Sequence, residues 1–516
     1  MKVFIFAIGG TGARVLRSLT YCLASGMDCI PNDTEFIPMI IDYDKNNGDK
    51  TRAIELLECY RDIRDAILSG VKPGDNDRTF FMPAIKTLAE VGVIDGQQSV
   101  NVSQGFQFRF GIREGDATGT FADKIDYSFM QGNTALTKEL LSSLYNDEPT
   151  SSPMSELNLN LEVGFRGNPN IGSVIFENIS NDVEFERFRS AFNPSQDRIF
   201  IISSIFGGTG SSGFPCIVDA IRYAGIAGYE TAPIGASIIM PYFKVTTPAG
   251  GAINSNIFNS KQKAALTYYD TPDVRNQTLF DKLTAAYCIA EDNPSTFGYS
   301  EGRDTQKNPA HIIELLSAIG LIQFATKDIN TLRREHCYEY GLDTDPTDGS
   351  INFTHLCKGD MDDYFSYMTC LGIALRYYHN HMVNGDIPPQ TAFYSANGLN
   401  LANKIGAGMY DKLTQFAVGF EEWLDEMSKQ TTAFHPFWHT PTNNDGKAIV
   451  AQDLGDYVSG YEADAGGFFS SGSSFKDFNA YCNKKYKEYG SSFDNSDYVF
   501  MSLLYDASGM CWSKYK

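Results

Sequence analysis

The sequence lacks most of the features that assign a protein's class at a glance. Its ten cysteines run from Cys22 to Cys511 with no C-x-x-C pair and no regular spacing. In a chain of 516 residues that argues against a disulfide framework or a zinc site, and for reduced, mostly buried thiols in a cytoplasmic compartment. Positive charge is scarce: Lys+Arg number 42 against 63 Asp+Glu, a formal net charge of −21. So large an acidic excess repels phosphate backbones and anionic lipid, so no general nucleic-acid or membrane surface is expected. No stretch approaches the roughly 20 apolar residues needed to span a bilayer. The apolar start, Met1 to Ile8, stops at Gly9-Gly10 and gives way to a polar helix, so it is not read as a secretory signal. No glycine run continues into Gly-Lys-Ser/Thr, which excludes a Walker A loop, and no His-Glu-x-x-His is present.

What the chain does contain is a globular balance, with 42% hydrophobic and 20% charged residues. Its length predicts two domains or three. The first part alternates strand and helix. Val3–Ile8 is a continuous apolar run of the kind a parallel strand shows when both faces are buried. Gly9-Gly10-Thr11-Gly12 turns the chain, and helical spacing follows from Ala13 to Leu23. Phe36–Ile41 is the next strand and ends on Asp42-Tyr43-Asp44. Further on, Arg198–Ile205 is a strong strand, Gly207–Gly213 a second glycine run, and Phe214–Ala224 a helix. Pro233–Met240 and Ala285–Ala290 are read as strands, 309–325 as a long helix, and 145–172 as a surface excursion. After about residue 350 the periodicity becomes helical, notably over 361–382 and 409–427.

The two glycine runs carry the chemistry. Each follows a buried strand and opens a helix, so backbone N–H groups and the helix dipole point at whatever anion sits there. Glycine lets that anion approach the main chain closely. Gly9 to Gly12 alone is compatible with a structural turn or a dinucleotide fingerprint. A second run at the same sheet edge lets a di- or triphosphate be held from two sides. Asp42 and Asp44, at a parallel strand's end beside such a loop, suit Mg²⁺ or its water shell.

The run GGTGSSG at 207–213 resembles the GGGTGSG signature of tubulin and FtsZ, and the order of elements over roughly residues 1–325 resembles that family as well. SIIMPYF resembles the segment after FtsZ's signature helix, and CIAEDNP resembles tubulin's CIDNEA. The alternation of strand and helix is itself read as an α/β parallel sheet. The resemblance implies that it is a Rossmann-like GTP-binding domain of tubulin/FtsZ type over 1–308, with a central linking helix over 309–325. The helical periodicity that follows is read as a mainly helical C-terminal domain over 326–516, which departs from the α/β second domain of that family. The resemblance also implies GTP or GDP with Mg²⁺, held by Gly9, Gly10, Thr11 and Gly12 and by Gly207, Gly208, Thr209, Gly210, Ser211 and Ser212. It further implies Asp42 and Asp44 near the phosphates, Asp44 as metal ligand, and Ala117, Thr118 and Gly119 facing the γ-phosphate. Asn293 would read the base, with Asn308 or His311 touching it from the central helix. Self-association into filaments or oligomers follows from the same likeness, and the helical domain would offer a surface to a protein partner.

The likeness thins after the central helix. The family's acidic loop, which completes the next subunit's pocket for hydrolysis, is not reproduced by Thr326–Thr331, and Asp328 and Glu314 are the only nearby substitutes. Catalytic residues are therefore unassigned. A catalytically degenerate, nucleotide-stabilised interaction module is the alternative to a GTPase. An NAD(P)-dependent oxidoreductase is a third reading, which the second glycine run opposes. His379/His381 is read as a surface or partly buried pair and His435-Pro436-Phe437-Trp438-His439 as an aromatic packing turn, neither as a metal site. Leu413, Phe416, Phe420, Trp423 and Met427 are read as one core stripe, and Asp360, Asp362 and Asp363 as acids at a helix start.

Overall fold

The computed structural model describes the chain outside residues 45, 73, 75–76, 94–102, 110–118, 128–133, 146–155, 162–163, 248–252, 254, 301, 303, 341–349, 357–360, 384–391, 396–397, 438–457, 460–474, 490–493 and 515–516. Seven strands form one sheet: β1 (Lys2–Ile8), β2 (Glu35–Ile41), β3 (Ala84–Ile85), β4 (Arg198–Ser204), β5 (Ile234–Ile239), β6 (Ala285–Ile289) and β7 (Cys337–Tyr340). Their order is β3-β2-β1-β4-β5-β6-β7, and every pairing is parallel. The sheet is Rossmann-like. Strand order runs one way from β1 to β3 and the other way from β4 to β7, so the direction reverses between β1 and β4. Ligands of open parallel sheets bind at such a reversal, outside the carboxyl ends of the strands.

Apolar runs make these strands because both faces are covered. In β1, Val3, Ile5 and Ala7 enter one hydrophobic cluster while Phe4, Phe6 and Ile8 enter the other. On the first face lie helices α1 (Gly9–Ala24), α2 (Gly48–Leu68) and, further along the chain, α6 (Ile312–Thr326). On the second lie α3 (Pro169–Phe176), α4 (Val183–Ala191) and α5 (Gly208–Arg222).

Three boundaries differ from the sequence reading. The glycine runs are not loops ahead of their helices. α1 begins at Gly9, directly after the strand, and α5 begins at Gly208. The central helix starts at Ile312, three residues after Pro309, because His311 caps it: its Nδ1 accepts from the Ile313 N–H, and Glu314 accepts from the His311 N–H. The seventh strand lies beyond that helix, in the stretch expected to be helical. Its four residues, Cys-Tyr-Glu-Tyr, contain no apolar run because it is an edge strand.

The helical C-terminal region packs on the first face. Helix α7 (Gly408–Ser428) sets Phe416, Phe420 and Trp423 around Tyr21 of α1, and the Trp423 indole donates to the Ser18 hydroxyl at 3.3 Å. All five residues of its expected core stripe are buried. Helix α8 (Ser496–Trp512) is capped by Asn495, whose amide also donates to the last carbonyls of α2, at Ala66 and Ile67. Phe437 packs against Phe353 and Phe420, as expected of an aromatic packing turn, and the His381 ring lies against Phe475. A helix is expected at 448–458; its residues 448–457 lie outside the described residues, as do His439 and Asp360, and Val458 instead pairs antiparallel with Phe437.

Candidate functional site

At the β1–β4 reversal the starts of α1 and α5 face one open cleft with about 930 Å³ of empty space, counting the part open to solvent. Neither helix has a side-chain cap at its start, and neither carries an acidic residue in its first turn. Helix α2 shows the contrast: Asn47 accepts from the Asp49 and Lys50 N–H groups, and Asp49 sits in the first turn. The first N–H groups of α1 and α5 thus have no intrahelical partner and no side-chain substitute. Two positive helix ends meet at one place.

Gly9, Gly10 and Thr11 line the cleft from α1, and Gly207, Gly208, Thr209 and Gly210 line it from α5. Gly9 has φ +68°, which the abrupt passage from strand to helix requires. In α5 the glycines answer crowding instead. A Cβ on Gly210 would lie 2.4 Å from the Ser204 carbonyl oxygen, inside any real contact distance. Phe206, Phe243 and Phe258 form an apolar wall, and Ser300, Gln306 and Asn308 form part of the opposite rim.

Asp42 and Asp44 complete the lining at the end of β2. The Asp44 N–H donates to Asp42 Oδ1 at 3.0 Å, and the Asn46 N–H donates to Asp44 Oδ1 at 3.0 Å. Behind them the buried Lys50 ammonium donates to the Asp44 carbonyl at 2.5 Å. Desolvation pushes the Asp42 carboxyl up to about 6, with Lys50 pulling the other way. The same loss of water lowers Lys50, and the two acids oppose that shift.

A buried ionic network forms the floor. Arg14 of α1 donates to Glu314 Oε1 at 2.6 Å, Asp49 Oδ2 at 2.6 Å, the Tyr242 hydroxyl at 2.5 Å and Thr11 Oγ1 at 3.3 Å. Tyr242 in turn donates to Glu314 at 2.7 Å. Arg52 continues the chain, bonding Asp49 at 2.7 Å and Glu426 of α7 at 2.8 Å, while Arg17 reaches Glu426 at 3.1 Å. Burial lifts the Glu314 carboxyl, against the pull of Arg14. Arg14 stays above its ordinary range because Tyr242, Glu314 and Asp49 together outweigh burial.

Of the residues singled out from sequence, ten meet in the cleft: Gly9, Gly10, Thr11, Asp42, Asp44, Gly207, Gly208, Thr209, Gly210 and Asn308. Others do not line it. Gly12 is packed under the sheet, where a Cβ would lie 2.5 Å from the Ala7 carbonyl carbon, so it serves helix–strand contact. The Ser211 and Ser212 hydroxyls, expected to face a ligand, donate back to the Gly207 and Gly208 carbonyls, the habit of serine inside a helix. Asn293 is exposed, its N–H bonded to Glu291. His311 is buried beside Tyr242, and desolvation and Arg14 push its imidazole down to about 3. Gly119 precedes a short helix, and Ala117 and Thr118 lie outside the described residues.

Sequence reasoning passed over two arginines that line the cleft. Arg14 was legible as a cation inside an apolar helical stripe. Arg166 lies in Gly164-Phe165-Arg166-Gly167, inside the stretch read as a surface excursion, and nothing in its local pattern marks it. Among the described residues, no group of three or more His, Cys, Asp or Glu side chains is placed to hold a metal ion unaided, and no helix is long and apolar enough to cross a membrane. Comparison of the chain with family models, with curated proteins and with solved structures returned no match.

Proposed function

We propose that this chain is a tubulin/FtsZ-like cytoplasmic protein that binds GTP or GDP with Mg²⁺ in the cleft and self-associates into filaments or smaller oligomers. One observation carries the reading: two uncapped helix starts, at the point where strand order reverses, converge on one cleft with two carboxylates at its rim. The glycines at both helix starts line the cleft, and Gly9 leaves open space beside the backbone for a phosphate to approach. Asp42 and Asp44 with phosphate oxygens make a hard oxygen donor set that fits Mg²⁺, which neutralises phosphate charge when bound. Asn308 is the base-reading candidate on the cleft wall.

A second reading, a nucleotide-stabilised interaction module without hydrolysis, is favoured by the fate of the two substitute acids. Glu314 is held in the buried Arg14 network, and Asp328 caps the helix Ile329–Glu335 by accepting from Asn330 and Thr331. Glu314, buried in that network, cannot place water for a neighbouring subunit, and Asp328 has one carboxylate oxygen committed to its cap.

Nucleotide released from the freshly purified, acid-denatured protein and identified by mass tests the reading. Guanine nucleotide is the expected result; a nicotinamide cofactor, or no nucleotide with no binding on addition of GTP, overturns it. Light scattering with GTP and then GDP, read beside phosphate release, separates an assembling GTPase from the static module.

A further inference from the structure

We infer that Gln306 donates from its side-chain amide to the phosphate seated at the start of α1 and so ties a bound nucleotide to the start of α2, an inference that rests on the nucleotide reading of the cleft. A phosphate held by the main-chain N–H groups of a helix end has further oxygens open to donors from elsewhere. Arg14 lines the cleft but spends its donors in the floor on Glu314, Asp49, Tyr242 and Thr11. Gln306, also in the lining, is placed otherwise.

Its main chain is laced to α2. The Gln306 carbonyl accepts from the Asp49 N–H at 3.0 Å, the Asn308 N–H donates to Asp49 Oδ1 at 3.0 Å, and Arg52 donates to the Asn308 carbonyl at 2.5 Å. The seat is close: a Cβ on Gly48 would lie 2.7 Å from both the Asp304 carbonyl oxygen and Lys307 Cγ. Residues 304–308 are thus held in place by the fold itself.

The direction of the side chain follows from its neighbour. Asn47 Oδ1 accepts from the Asp49 and Lys50 N–H groups at 2.9 and 3.2 Å, so the other end of that amide is a donor. It donates to Gln306 at 3.2 Å, and the atom that meets a donor must be the Gln306 oxygen. The Gln306 nitrogen is thereby turned from Asn47 to the first turn of α1, and it makes no hydrogen bond of its own. It lies 3.3 Å from the place that a Cβ on Gly10 would occupy, and glycine leaves that place empty. Asp49 stands beside it with its charge already matched by Arg14 and Arg52. The first glycine run therefore faces two fixed, unspent N–H groups, which suit an anion's oxygen and add no charge.

The test measures dissociation constants of Mg-GDP and Mg-ADP for the full chain, wild type against Gln306→Met and Gln306→Glu. Gln306→Met removes the donor and should weaken GDP by roughly 10-fold, as for loss of a hydrogen bond to a charged group. Gln306→Glu keeps an oxygen for Asn47 and turns a carboxylate on the phosphate, so it should weaken GDP further still. A role limited to accepting from Asn47 gives the reverse order, since glutamate preserves that bond and methionine loses it. The preference for GDP over ADP should stay at the wild-type value in both variants, because the contact is to phosphate. Unchanged GDP affinity, the reversed order, or an altered base preference overturns the assignment and leaves the cleft reading intact. Wild-type protein that binds neither nucleotide overturns the cleft reading and this inference with it.

Discussion

The two glycine runs look alike in sequence and differ in what the fold asks of them. Gly9 is required by its backbone angle, φ +68°, at a junction with open space around it: the nearest atom a Cβ would meet is 3.6 Å away. Gly210 has an ordinary backbone and no space, with the Ser204 carbonyl 2.4 Å from its would-be Cβ. The first run also rests on a buried ionic network through Arg14, whereas the second rests on an apolar face through Phe214 and Ile217. One edge of the cleft is therefore held by two different kinds of force. Matching spacing does not imply matching stability.

The largest test of that difference is Arg14→Met. It leaves Asp49 and Glu314 buried without their cation, and breaking a buried pair this way costs about 3–5 kcal/mol. A urea midpoint should show it, and a loss below about 1 kcal/mol would mean that water or Arg52 takes over. Next in size is Gly210→Ala, where overpacking against backbone should cost about 1–3 kcal/mol. Gly9→Ala should cost about 1–2 kcal/mol through its left-handed angle alone. Gly9→Asn should recover part of that, since asparagine tolerates the angle, while no polar substitute rescues Gly210. If Asn helps both positions or neither, the distinction between angle and space fails.

The smallest effect is electrostatic. The Asp42 carboxyl, raised to about 6, is protonated below that pH and then offers a cation no charge. Affinity for Mg-nucleotide should rise with pH through about 6, and Asp42→Asn should flatten the rise. The ligand-free protein should respond with the opposite sign. Between about 4 and 6 the folded state binds more protons at Asp42 than the unfolded state, so its contribution to stability falls as pH rises. Urea midpoints of wild type and Asp42→Asn across that window measure it.

The sheet was largely legible because buried parallel strands announce themselves locally: FIFAI at 4–8 and IFII at 199–202 are apolar on both faces. The cleft was legible where one residue type does one job, as with the glycines that open α1 and α5 and the acids that end β2. What was hidden depends on distance along the chain. Arg14 finds its partners 35 and 300 residues away, and no window of sequence contains both. β7 pairs by main-chain hydrogen bonds at an edge, which leaves no apolar signature. Ser211 and Ser212 misled because a hydroxyl's direction is set by helix geometry: once α5 begins at Gly208, their nearest acceptors are carbonyls of their own turn.

The cover over α1 and α2 has a consequence for how the chain comes into being. The Tyr505 hydroxyl donates to the Gly26 carbonyl across 479 residues, and Trp423 reaches Ser18 across 405. A ribosome delivers Tyr21 and its apolar neighbours long before the aromatic rings that enclose them. Until then the outer apolar face of α1 and α2 has nothing to cover it, the condition under which a folding chain is most open to aggregation. Because these enclosing contacts are so distant in sequence, the last step of maturation should be slow docking of late-made helices onto an early-made sheet.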